Sequence, residues 1–111
     1  MKVKFTPSDE EREQYKDLTP DNTYRVIGLE ADDFRIMSDE GAPYCFPMEM
    51  FTVVDAHWPK DWVENISTGG LRWVTSQTLA EPDFFDRVFD GDKQARLTLR
   101  KRLQKWRTGE D

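Results

Sequence analysis

Hydrophobic residues in this chain come in short bursts separated by polar, turn-prone segments, and their period shifts toward that of a helix only near the end. At the start, "KVKF" alternates Val3 and Phe5 with lysines, as a strand with one dry face does. "SDEEREQYKDL" comes next, with Ser8 at an N-cap position, Glu11 three residues on and acids in the first turn, the signature of a capping box on a short helix, with a charged surface loop as the alternative. In "TPDN", Pro20 presets the first central dihedral of a turn, and Asp21 and Asn22 tolerate the later ones.

Four runs rich in β-branched and aromatic residues come next, "TYRVIGLE", "FRIM", "YCF" and "FTVVD", separated by "ADD", "SDEGAP" and "PMEM". Strands at that spacing predict an all-β meander or small barrel rather than βαβ units. Gly41 falls where the second hairpin wants a left-handed residue. Pro47 must end or bend its strand, and "MEM" is long enough for one helical turn before "FTVVD" resumes the extended chain.

A strand ending in Phe-Pro, a short turn with a large residue and then a hydrophobic strand, "GAPYCFPMEMFTVVD", resembles the closing segment of SH3-like barrels. The resemblance covers Thr23 to Asp55, about a third of the chain. It implies an α+β fold, a small SH3-like antiparallel β-barrel followed by a C-terminal helical segment packed on it. The Ala-Leu-Tyr-Asp-Tyr-type segment and the groove tryptophans of proline-binding SH3 domains do not occur between Thr23 and Asp55, so peptide binding does not carry over. The run from Leu18 to Asp55 also resembles short uncharacterised bacterial proteins, some of immunity type, which neutralise toxins.

Past the barrel, "HWPKDWVENI" reads as a connector that turns helical after Pro59, with Trp58 and Trp62 four residues apart. "GLRWVTS" reads as a further strand after the Gly69-Gly70 turn, and Pro82 opens a short helix with Phe85, Val88 and Phe89 at helical spacing. Asp92 then caps a helix running to Arg107, with Ala95, Leu99, Leu103 and Trp106 as its apolar stripe and Gly109 at its exit. With 111 residues, one domain is expected, divided into an N-terminal strand and acidic helix (1–22), a barrel with connector (23–76) and C-terminal helices (77–111).

Composition sharpens this picture. The apolar fraction of 37% is low, but an aromatic fraction of 13% argues against disorder and for a ring-rich core. The formal net charge of −6 conceals a split: residues 1–92 hold 20 acids against 9 bases, a balance of −11, while residues 93–111 hold 7 bases and 2 acids, or +5. The basic helix either lies across the acidic body, its cations matching the body and its own C-terminal dipole, or presents Arg96, Arg100, Lys101, Lys105 and Arg107 to phosphates. Nucleic acid is the less favoured partner, because the acidic body repels it within about 8 Å, the Debye length.

Candidate chemistry is sparse. The one cysteine, Cys45, sits in an apolar run, where a thiol is usually a small buried hydrophobe, and the one histidine, His57, lies in the connector. A lone cysteine excludes a disulfide framework and a multi-cysteine zinc site, which fits a reducing compartment. The pairs Asp32-Asp33 and Asp39-Glu40 fall in turns without calcium-loop spacing, and no phosphate-binding glycine loop or nucleophile elbow occurs. These features predict a cytoplasmic, non-catalytic protein-interaction module, without cofactor, metal or membrane span. Its acidic surface would occlude a basic partner, with Trp58 and Trp62 as hot spots, unless both plug the barrel's open end, and Asp32, Asp33, Asp39 and Glu40 steering the encounter. Nucleic-acid binding by the tail helix is the alternative, and a homodimer through Phe84, Phe85 and Phe89 is a third.

Overall fold

A computed structural model describes residues 1–109. Seven antiparallel strands form one open sheet: β1 (Lys2–Phe5), β2 (Thr23–Glu30), β3 (Asp33–Met37), β4 (Pro43–Pro47), β5 (Phe51–Asp55), β6 (Trp62–Ile66) and β7 (Arg72–Ser76). Three helices accompany it, α1 (Asp9–Gln14), α2 (Phe84–Phe89) and α3 (Lys93–Arg107). The main ladder runs β4-β3-β2-β1-β5, and the β6–β7 hairpin attaches to β2.

Strand β2 makes this branched arrangement possible. Its first residues pair with β1, Thr23 opposite Lys4, whereas Gly28, Leu29 and Glu30 pair with β7 along the same edge. Between these stretches the ladder to β3 shifts register from Val26 to Gly28, a bulge that bends the strand. Glycine is required at the bend: a Cβ on Gly28 would sit 2.7 Å from the carbonyl oxygen of Val74.

The sheet does not close into the barrel that the SH3-like pattern predicts, for β4 and β5 form no ladder with each other. Proline stands at both ends of β4, at Pro43 and Pro47, so that strand has few donors to offer a further neighbour. Tyr15, just after α1, packs edge-on against Phe46 of β4 at 5.9 Å. The sheet curls far enough for Phe34 of β3 to meet Phe51 of β5 at 5.7 Å, and the core fills by ring packing in place of strand closure.

Local signals are obeyed closely. The Ser8 hydroxyl accepts the Glu11 N–H while the Glu11 carboxylate accepts the Ser8 N–H at 2.8 Å, completing the capping box. Gly41 has φ +83° in the β3–β4 turn, and Met48–Met50 forms one 3₁₀ turn before β5. The segment after Pro59 is not helical: Trp62–Ile66 is a strand paired with β7, since Val63 and Ile66 suit a pleated surface and the Ser67–Gly70 turn returns the chain beside it.

At the C-terminus, Phe84 and Val88 of α2 face inward, so Phe84 is unavailable to the proposed phenylalanine dimer patch, and Phe89 is left exposed. Asp92 caps α3 through bonds from the Gln94 and Ala95 N–H groups. The buried stripe of α3 is Ala95, Leu99, Arg102 and Trp106, with Leu103 only half-buried beside it. Arg102 takes the inward place because Asp61, in the turn before β6, receives its guanidinium at 2.6 Å, and the Ser76 hydroxyl donates to the same carboxylate. Arg25 of β2 donates to the Trp106 carbonyl at 3.1 Å, tying the end of α3 to the sheet.

Candidate functional site

The acidic hairpin tips expected to act together are separated. Asp32 belongs to the β2–β3 turn and Asp39 and Glu40 to the β3–β4 turn, at opposite ends of β3. Five residues of strand put them about 13 Å apart or more. Asp33 is half-buried at the start of β3, and Asp39 is a clip, its carboxylate accepting from the Thr19 hydroxyl at 2.6 Å and the Tyr24 hydroxyl at 2.8 Å. That clip and its burial push the Tyr24 phenol up, desolvation being the largest cause. Asp32, Asp39 and Glu40 are exposed, Asp39 with its carboxylate engaged in the clip.

The two tryptophans also divide. Trp62 is 8% exposed and belongs to the core, whereas Trp58 is 37% exposed and lies on it, ring centroids 5.5 Å apart. Trp58 alone has the exposure to serve as a surface hot spot. The five cations of α3 split as well. At about 100° per residue, Arg96, Arg100 and Arg107 share a flank with Leu103, while Lys101 and Lys105 point about 100° or more away from them.

Neither sequence candidate for nucleophilic chemistry gains a site. Cys45 contacts the Glu30 carboxylate at 3.2 Å, and burial pushes its thiol up to about 12, the opposite of what a nucleophile needs. Glu30 in turn pairs with Arg35, which stacks on the Phe85 ring at 4.1 Å in a cleft of about 270 Å³ between the sheet and α2. The charges that face that cleft from the sheet are spent on each other. Asp55 accepts the His57 N–H at 2.9 Å, and this bond is the chief cause that lowers its carboxyl below the usual range. Among the described residues no three metal-ligating side chains gather, and no helix is long and apolar enough to cross a membrane.

The feature that sequence inspection missed is β5. Among the described residues it pairs only with β1, and Thr52, Val53, Val54 and Asp55 are all exposed, Val53 at 46% and Val54 at 51%. The Thr6 N–H bonds the Met50 carbonyl at 3.0 Å, which sets the alternation of the β1–β5 ladder. Thr52 then faces Lys4, while the Val53 N–H and C=O and the Phe51 C=O point to the open edge. No proline or lysine guards that edge, and its one register shift lies near its end, between Val53 and Asp55. Carboxylates surround it in sequence: Glu49 before, Asp55 at its end, and the acids of α1, which starts three residues after Thr6, whose hydroxyl meets that of Thr52 at 3.0 Å. The absence of edge-guarding residues was readable in "FTVVD"; that the strand is an edge was not. Comparison with family models, curated proteins and solved structures gives no match for this chain.

Proposed function

We propose that this protein is a non-catalytic interaction module that takes an extended segment of a basic protein partner onto the open edge of β5. The observation that carries this is one strand with an open edge free of proline and lysine, Val53 and Val54 exposed side by side, followed three residues after Asp55 by the exposed Trp58. An added strand gains main-chain hydrogen bonds from the edge and apolar contacts from the valines and the indole. The sign of the partner comes from the charge: Glu49 and Asp55 bracket the edge strand in a chain of net −6, and they lie outward of Lys2 and Lys4, which stand on the paired strand β1. Self-pairing about Val53 would bring these carboxylates together in two such copies, so a basic partner is favoured over a second copy. An inhibitor of immunity type, occluding a basic cleft, is the biological role that fits this surface.

Capture from a native extract, identification by mass spectrometry and kinetics with the purified captured protein test the reading. Val53→Lys and Val53→Pro should each weaken binding at least about tenfold while the melting temperature moves little, since Val53 is half-exposed and contributes little to the core. A captured protein that is acidic, or that ignores both substitutions, overturns it.

A further inference from the structure

A second surface, on the other side of the charge split, carries a separate proposal that does not depend on β5. Between α3 and the β3–β4 hairpin lies a groove of about 430 Å³ whose floor is Met37, Pro43, Val88, Leu99 and Leu103. Arg96, Arg100 and Arg107 line it, with no carboxylate among the lining residues. Phe89, 42% exposed, closes one end, stacked on Tyr44 at 5.1 Å. Arg96 is held in place by its Nε bond to the Val88 carbonyl at 2.9 Å, whereas Arg100 and Arg107 are exposed and have no partner among the described residues.

We infer that this groove docks an acidic segment of a partner protein bearing aliphatic or aromatic anchors. Charge complementarity sets the sign, three guanidinium groups with no carboxylate beside them among the described residues that line the groove. The residue type sets the class: the cations lining the groove are all arginine, whose planar fork takes a carboxylate in two parallel hydrogen bonds, while Lys101 and Lys105 lie on the other flank. The floor decides against nucleic acid. A phosphate backbone has no use for five apolar side chains and gains most from a continuous cationic stripe, but here the helix's cations are divided between two flanks. A peptide with two anchors on one face fills the floor and leaves its carboxylates at the arginine rail, the helix-in-groove mode of recognition.

The test uses the full chain and a fluorescein-labelled amphipathic 14-residue peptide of Glu, Leu and Phe on an alanine background. Two controls accompany it, the same peptide with Leu and Phe replaced by Ala, and a single-stranded 14-nucleotide DNA. Anisotropy should show saturable binding of the first peptide, weakened at least about tenfold by Arg100→Glu with Arg107→Glu and by Phe89→Ala, and unchanged by Lys101→Glu with Lys105→Glu. Amide shifts in the unmutated chain should fall on Met37–Pro43 and Arg96–Arg107, a readout that requires no variant to fold. Equal affinity for the anchorless peptide, equal loss with the lysine pair, tighter binding of the DNA, or no saturable binding at millimolar peptide would each overturn the proposal.

Discussion

Cys45 illustrates how far the environment of one residue fixes its chemistry. Its thiol is pushed up to about 12, first by desolvation, with the neighbouring Glu30 carboxylate adding to the effect and Arg35 opposing it. The folded thiol therefore holds its proton at pH values where the unfolded one, ionising near 9, has lost it. Below pH 9 both states are protonated and the group adds no pH dependence; as pH rises through 9 the unfolded state releases its proton first and stability falls. At pH 8, native alkylation by iodoacetamide should be slower by on the order of 100-fold or more than in denaturant, because the thiolate is the nucleophile. Comparable rates would show that Cys45 is not held as described. That Cys45 is an inert hydrophobe could be read from its apolar neighbours; the carboxylate beside it could not, since Glu30 lies fifteen residues away.

Among the elements, α3 shows most clearly where local pattern stops. Its cap, length and exit come from Asp92, the helical period and Gly109. Its burial does not, for the stripe predicts Leu103 inward, and the structure places Arg102 there. An arginine on a helix reads as a solvated cation unless a carboxylate waits for it, and Asp61 comes from a turn forty-one residues away. The Asp61–Arg102 pair, the Ser76 hydroxyl and the Trp106 ring 4.9 Å from the guanidinium fasten helix to sheet. Asp61→Ala strands a buried cation and should cost about 3–5 kcal/mol, whereas Asp61→Ala with Arg102→Met should recover much of that loss. Urea denaturation of the two variants distinguishes this tie from an exposed ion pair, for which both would stay within about 1 kcal/mol of the parent.

For the whole molecule, the division of charge organises both proposed surfaces, an acidic edge at β5 and an arginine-lined groove beside α3. Association with a basic partner at β5 should slow as salt rises from about 0.05 to 0.5 M, with the off-rate moving far less, because screening acts on the encounter and apolar contacts hold the complex. Stopped-flow kinetics over that range check this, and a salt-independent on-rate would remove electrostatic steering. The capping box at Ser8, the turn at Gly41, the 3₁₀ turn at Met48–Met50 and the charge split were determined by the sequence itself, since each rests on residues close in the chain or on simple counting. The barrel closure expected from the same run was decided otherwise, because whether two strands pair depends on what else competes for their edges. Prolines at both ends of β4, Tyr15 against Phe46 and the bulge that hands β2 from β1 to β7 are relations between distant segments. Those relations also leave β5 open, bury Trp62 beneath Trp58 and sort the cations of α3 onto two flanks, for exposure is a property of the packed molecule and no local pattern contains it.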